Sequence, residues 1–191
     1  MNRLAKIQLT PTRVFLLMSL ILFFFGYQRF IEYDLYAEET IFLKEYYWYG
    51  LKSIVTPYAG YFHTIPRLIT IFSWEISVHF FPLIHVISCT LITAFVLSRL
   101  SQSRYKWLFG SSFNRLLTCI ILSTAAGYSM VFGNSTNIHW LLLLYLLILG
   151  LSSPKVSFTK LDLIFMLVAL LSESVTFLVI PFFLCKVTCQ L

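Results

Sequence analysis

Residues 141–149 read LLLLYLLIL, a run that is apolar on every face a helix could present. A helix that is hydrophobic all round lies in the core of a large protein or in a membrane. Four or five stretches of this chain approach the roughly 20 apolar residues that a helix needs to cross a hydrocarbon layer of about 30 Å. Short polar segments separate them, so the sequence predicts a bundle of membrane-spanning helices.

The overall composition indicates the same class of protein. Of the 191 residues, 59% are hydrophobic and only 12% are charged, whereas about a quarter are charged in an average soluble domain. The net charge is +6, but the basic residues are scattered beside apolar runs and form no patch of the kind that binds nucleic acid. We therefore predict no nucleic-acid partner, and interpret the basic residues as signals that orient the helices in the membrane.

The expected fold is an all-α, polytopic transmembrane bundle of about five spans or half-spans, forming a single domain over residues 1–191. A long polar and aromatic segment, residues 31–80, is predicted to be an external loop that contains short interfacial helices. The last apolar stretch is interrupted at Glu173 and Pro181, so it is either one tilted helix or two half-helices. The predicted spans are residues 14–30, 81–97, 116–132, 138–151 and 161–185.

The distribution of charge predicts the orientation of these spans. The N-terminal tail, the segment after the second span and the turn before the last stretch carry Lys and Arg, which favours the cytoplasm. The first apolar stretch is too long for a cleaved signal peptide, so we expect a retained span with a cytoplasmic N-terminus. Loop 31–80 and the turn 133–137 then share the outer face. That loop holds most of the acids, namely Glu32, Asp34, Glu38, Glu39, Glu45 and Glu75.

The external loop has the features of a binding site. At about 50 residues it is far longer than the usual connection between packed helices, and it is dense in Tyr, Trp and Phe. If its start is helical, Asp34 and Glu38 share one face. Two negative charges so close together indicate a bound cation, a ligand or a catalytic role. Two plainer interpretations stay open: a belt of interfacial aromatic residues and a solvated acidic loop.

The histidines, cysteines and carboxylates show no spacing that is typical of a metal site. His79 and His85 have no metal-ligand spacing to a carboxylate, and the chain has no CxxC pair. A divalent ion between Asp34 and Glu38 or Glu39 is conceivable, but we predict neither a metal nor another cofactor. The four cysteines are interpreted as small buried hydrophobic residues: Cys89, Cys119, Cys185 and Cys189.

Several short segments of the outer face carry a family resemblance. Residues 34–43 (DLYAEETIFL) are followed by Gly50-Leu51, by residues 57–63 (PYAGYFH) and by residues 66–68 (PRL). Further on, residues 137–140 (NIHW) open a helix that starts outside. Together these segments resemble the polytopic GT-C glycosyltransferases, in particular the bacterial members that build envelope polysaccharides.

The chain departs from that family at two places and in length. Related chains often have Glu-Asp where this sequence has Glu38-Glu39, and Gly-Pro where it has Glu173-Ser174. Family members are also much longer and have more spans. The resemblance therefore covers nearly all of this chain but only the N-terminal half of the family fold, and predicts a truncated member or a fragment.

The resemblance implies an inverting transfer of sugar from a polyprenyl phosphate to a glycan acceptor, such as lipopolysaccharide or O-antigen, at the outer face of the bacterial inner membrane. One carboxylate suffices as general base. Asp34 is the first choice for it, Glu39 the second and Glu38 the third. Arg67 would grip the phosphate because a guanidinium bonds phosphate oxygens in a bidentate way. The other predicted substrate-binding residues are Lys44, Tyr58, Tyr61, His63, Asn137, His139, Trp140 and Glu173.

A second interpretation belongs to a different class of protein. The chain could be a non-catalytic relative, either a partner of other membrane subunits or a component that transports lipid-linked sugars. Transporters usually carry charged residues at mid-membrane depth. Here most acids lie in the external loop, which favours the transferase; both interpretations involve membrane lipid and a polyprenyl-linked sugar.

Overall fold

The protein is built from helices. The computed structural model describes residues 10–127, 133–152, 157–172 and 174–188. These residues form ten α-helices joined by short 3₁₀ turns; among them no strand forms, and the one isolated bridge joins Tyr58 to Tyr61. The predicted all-α class is confirmed. The helices are α1 (Pro11–Phe25), α2 (Tyr27–Ile31), α3 (Ala37–Tyr49), α4 (Thr64–Ile76), α5 (Phe81–Arg99), α6 (Lys106–Phe109), α7 (Ser112–Gly127), α8 (Ile138–Gly150), α9 (Lys160–Ser172) and α10 (Ile180–Thr188).

The first apolar stretch forms two helices rather than one. The hydroxyl oxygen of Thr10 accepts a hydrogen bond from the Arg13 N–H at 3.4 Å, and Pro11 occupies the first turn of α1, where its missing N–H costs nothing. The helix stops at Gly26, whose backbone leaves the helical region (φ −96°, ψ 14°). Glycine has the least tendency of any residue but proline to continue a helix, which explains the break.

Of the described helices, α5 is the one whose own length and composition suffice to cross a membrane. It has 19 residues and a mean hydropathy of 2.0. Residues 103–109 and 112–125 pass the same test only when they are joined across a bend of 85°. Helices α1 and α8 are apolar but shorter.

The core forms where α1, α5, α7 and α8 meet. Helix α1 packs against α5 and α7, and α5 packs in turn against α4 and α8. Apolar side chains from these helices fill the interior, among them Val14, Met18, Leu22, Val96, Leu97, Cys119, Leu142, Leu146 and Leu149. Burying such side chains stabilises the bundle by about 1.5–3 kcal/mol each relative to exposing them in water.

Polar contacts gather at the two ends of α5. At its first turns, the Glu39 carboxylate accepts a hydrogen bond from the Ser135 N–H at 2.7 Å, so loop 31–80 and the turn before α8 share one end. Beyond its last turn, Arg104 pairs with Asp162 at 2.7 Å, which joins the segment after α5 to the start of α9. From His85 to Arg99 the axis of α5 runs about 21 Å. The structure thus joins loop 31–80 to the turn before α8 at one end of α5, and the segment after α5 to the start of α9 at the other.

The last apolar stretch is two helices. Helix α9 ends at Ser172, whose hydroxyl oxygen accepts a hydrogen bond from the Ile65 N–H at 3.1 Å. A 3₁₀ turn at Ser174–Val179 leads into α10, where Phe183 packs on Phe158 with ring centroids 5.4 Å apart. Of the two alternatives left open by the sequence, the structure has the broken helix. Glu173 lies outside the described residues, as do residues 128–132 at the end of the third predicted span.

Candidate functional site

Helix α3 contributes several of the polar contacts at the end of the bundle where loop 31–80 meets the turn before α8. It begins where the Tyr36 N–H donates to Glu39 Oε2 at 3.0 Å, and it ends at Gly50, whose φ of 57° lies in the left-handed region that favours glycine. One face of the helix carries the buried side chains of Glu39 and Phe42. The opposite face leaves Lys44 in solvent. The sequence predicted short helices in this loop, and α3 supplies the frame on which the acidic residues are arranged.

Asp34 lies in an open polar pocket that precedes α3. The pocket has a volume of about 320 Å³, and its polar lining residues are Gln28, Arg29, Glu32, Asp34 and Tyr36. Arg29 Nη2 donates to the backbone oxygen of Asp34 at 2.8 Å, and the guanidinium lies 4.6 Å from the centroid of the Tyr36 ring. The Asp34 side chain is exposed. Asp34 and Arg29 therefore line one open pocket and contact each other through the Asp34 backbone oxygen.

Glu39 is enclosed rather than exposed. Its Oε1 accepts from the Ser135 N–H at 2.7 Å and lies 2.9 Å from His85 Nε2. Burial alone would raise the pKa of Glu39, but the hydrogen bonds from His85, Ser135 and Tyr36 together lower the pKa below its usual value. The group is thus a carboxylate that holds α3, α5 and the turn before α8 together. Its predicted role as an alternative base stays a prediction.

Arg67 is almost wholly buried, with 1% of its side chain exposed. Its Nη1 forms an ion pair with Glu45, and its Nε donates to the Phe62 backbone oxygen at 2.7 Å. The guanidinium also lies 4.8 Å from the centroid of the Phe42 ring. Arg67 joins α4 to α3, and it is not among the described residues that line the Asp34 pocket. Binding of a lipid phosphate by Arg67 stays a prediction.

The structure brings five predicted substrate-binding residues into one aromatic cluster. His63 stacks on Tyr61 with ring centroids 4.0 Å apart, and it contacts Tyr58 edge-on at 5.4 Å. His139 joins from the start of α8, 5.9 Å from His63 and 5.0 Å from Trp140. Trp140 itself is half exposed. Two segments that are far apart in the sequence thus form one cluster, in which both histidines are buried.

The remaining predicted residues are more dispersed. Lys44 points into solvent on the outer face of α3, and Glu38 lies half-buried in its first turn. Asn137 ends the 3₁₀ turn Ser135–Asn137 that leads into α8. Glu173 cannot be placed because it lies outside the described residues.

Sequence reasoning missed four residues of this end of the bundle. Arg29 is the first cation after α1 and stands five positions before Asp34, a spacing that could have signalled it. His85 and Cys89 are four positions apart and share one face of α5. Their carboxylate partner, Glu39, and Ser135 lie far away in the chain, so no local pattern connects them.

A comparison of the chain with protein-family models, with curated proteins and with solved structures finds no match. The site is therefore interpreted from its own contacts.

Proposed function

We propose that this chain is a polytopic protein of the bacterial inner membrane that transfers a sugar from a polyprenyl phosphate to an envelope glycan at its outer end. The observation that carries the proposal is the open pocket that Asp34 and Arg29 line together. Such a pocket offers both a base for an acceptor hydroxyl and a cation for a phosphate.

The surface of the bundle supports the membrane setting. On α1, Leu16 and Leu20 are 61% and 67% exposed although the opposite face of the same helix is buried in the core. On α9, Leu163 and Leu167 are 52% and 59% exposed. Monomeric soluble proteins rarely expose apolar surface of this extent, whereas hydrocarbon would cover it. Helices shorter than the hydrocarbon layer can be accommodated by local thinning of the bilayer.

The polar pocket supports separate roles for two residues, with Asp34 as the base and Arg29 as the phosphate-binding cation. Arg29 takes the phosphate-binding role that the sequence assigned to Arg67, because Arg67 is enclosed by Glu45 and Phe62 whereas Arg29 lines the pocket. The acceptor oxygen attacks the anomeric carbon while Asp34 removes its proton. The bond from that carbon to the phosphate oxygen breaks, and its electron pair leaves with the phosphate. Configuration at the anomeric carbon is inverted.

Two other surfaces suit the rest of such a donor. Aromatic faces of Tyr61 and Trp140 match the C–H faces of a sugar, and both belong to the aromatic cluster at this end. An apolar groove of about 330 Å³ between α4 and α5 is lined by Leu68, Phe72 and Leu91. A groove of that character fits an isoprenoid chain.

The test is a transfer assay on membranes that contain the full chain. The donors are radiolabelled hexoses and pentoses linked to polyprenyl phosphate, and the readout is the appearance of the label in the acceptor glycan. Asp34→Asn should lower turnover by about 10²-fold or more, the usual size of a general-base effect. Arg29→Gln should also lower it. Glu75→Gln is the matched control, since that outer acid bonds Tyr46 and does not line the pocket.

The alternative is a non-catalytic partner or transport component for lipid-linked sugars. It is favoured by the enclosure of Glu39 beside His85 and of Arg67 beside Glu45, which pairs with the Arg67 charge within the protein. No turnover by any variant, with the labelled lipid still bound, would support this alternative. Equal turnover by the native chain, Asp34→Asn and Arg29→Gln would contradict the proposed roles of both residues.

A further inference from the structure

Three buried side chains of metal-ligand type meet where α3 crosses the first turns of α5. We propose that Glu39, His85 and Cys89 bind a zinc ion there. Each offers one ligand atom, all three atoms lie within 4.8 Å of one another, and each side chain is fully buried. This site is independent of the proposed transfer reaction.

The geometry requires only small movements to accept the ion. Zinc bonds to nitrogen, oxygen and sulfur of about 2.0–2.3 Å place tetrahedral ligand atoms roughly 3.3–3.7 Å apart. Glu39 Oε1 and His85 Nε2 are 2.9 Å apart, so they would separate slightly while the sulfur approached. His85 and Cys89 are held on one face of the same helix by their spacing of four residues. The ion would fasten α3 to α5.

The donor set selects the class of metal. Thiolate and imidazole ligands suit zinc and neighbouring transition metals, whereas Mg²⁺ and Ca²⁺ require oxygen. Binding would form a sulfur–zinc bond as the Cys89 thiol releases its proton to water. A thiolate and a carboxylate then balance the double charge of zinc, which lowers the cost of burying the ion.

Surrounding hydrogen bonds suit a metal ligand. The Ser135 and Tyr36 N–H groups donate to the two oxygens of Glu39 at 2.7 and 3.0 Å and fix its orientation, as outer contacts do at metal sites. Two further buried atoms, His85 Nδ1 and Ser135 Oγ, have no hydrogen-bond partner within the described part of the chain. Leaving a buried polar atom unpaired costs about 1–3 kcal/mol. A metal-bound water in the fourth position would supply the hydroxyl of Ser135 with a partner.

A plain buried pair of Glu39 and His85 is the competing account, and it needs no metal. The full chain in lipid nanodiscs would be stripped with a chelator and titrated with Co²⁺, then with Zn²⁺. We expect one equivalent bound, a thiolate-to-cobalt charge-transfer band, and a rise in the unfolding midpoint with zinc, since ligand binding stabilises the folded state.

Cys89→Ser should abolish the charge-transfer band and weaken zinc binding at least tenfold. Cys119→Ser is the matched control, because Cys119 is also buried but its thiol donates to the Leu97 backbone oxygen at 3.2 Å. An intact band in Cys89→Ser would overturn the proposal. If that variant does not fold, the native chain decides: no charge-transfer band and an unfolding midpoint unmoved by zinc and by chelator would also overturn it.

Discussion

Asp162→Asn is predicted to destabilise the end of the bundle opposite the candidate site. The Asp162 side chain is fully buried, and its Oδ2 accepts from both Nη1 and Nη2 of Arg104 at 2.7 Å. The same oxygen accepts from the Thr159 N–H at 2.7 Å, and Oδ1 accepts from the Tyr145 hydroxyl. An asparagine keeps one neutral oxygen that can accept from the guanidinium, but it removes the negative charge and places an NH2 donor where Oδ1 accepts from the Tyr145 hydroxyl.

The expected loss follows from these contacts. Hydrogen bonds to charged groups contribute about 1.5–3 kcal/mol each, and breaking a buried ion pair costs about 3–5 kcal/mol. The Arg104 side chain keeps 8% of its surface exposed and can regain part of its hydration. We therefore expect a loss of about 3 kcal/mol, the lower end of that range. Removing both charges with Arg104→Met should recover at least about 2 kcal/mol of it.

The assay is reversible unfolding of the purified chain in mixed micelles with increasing denaturing detergent, followed by circular dichroism. Lys106→Met serves as control, since Lys106 is an exposed cation of the same segment and its loss should stay within about 0.5 kcal/mol. A loss for Asp162→Asn as small as that of Lys106→Met, within about 0.5 kcal/mol, would refute the reasoning. So would a double variant whose loss equals the sum of the two single losses.

Two further substitutions test other contacts by the same assay. Glu45→Gln should lower the free energy of unfolding by about 2–3 kcal/mol, because it leaves the buried Arg67 guanidinium without its charge partner. The control, Lys44→Gln, changes a neighbouring exposed residue and should have little effect. Equal losses for the two variants would contradict the ion pair. Gly150→Ala should cost about 1 kcal/mol net, because the new Cβ would lie 2.9 Å from Phe182 Cβ and overpacking of about 1–3 kcal/mol outweighs the gain in helix propensity. A stabilised Gly150→Ala variant would show that α8 and α10 do not pack as described.

The fold class could be predicted because it follows from local pattern. Apolar runs such as residues 141–149 are helical whatever surrounds them, and α8 ends at Gly150, one residue from the predicted boundary. The break at Gly26 was missed because the apolar character of the stretch continues through it. The break in the last stretch was visible in its polar interruption, but only tertiary packing decides between a bend and two helices.

The candidate site could be predicted only in part. The resemblance marked residues 57–63 and 137–140 separately, and the structure brings His63 and His139 within 5.9 Å of each other. The pairing of Glu39 with His85 spans 46 positions, and nothing in either local sequence indicates it. Arg67 was assigned to a ligand because of its chemistry, yet burial beside Glu45 depends on how α4 lies against α3. Long-range contacts of this kind follow from packing rather than from pattern.

We propose that the two polar ends of the bundle lie on opposite sides of a membrane, with α3 outside. This orientation can be measured by placing a cysteine at either of two exposed lysines, Lys44→Cys on α3 and Lys106→Cys beyond α5. Intact spheroplasts would be treated with a membrane-impermeant maleimide, and labelling would be compared with that of the native chain. We predict that Lys44→Cys is labelled in intact spheroplasts and Lys106→Cys only after permeabilisation. Labelling of both, or of Lys106→Cys alone, in intact spheroplasts would contradict the claim.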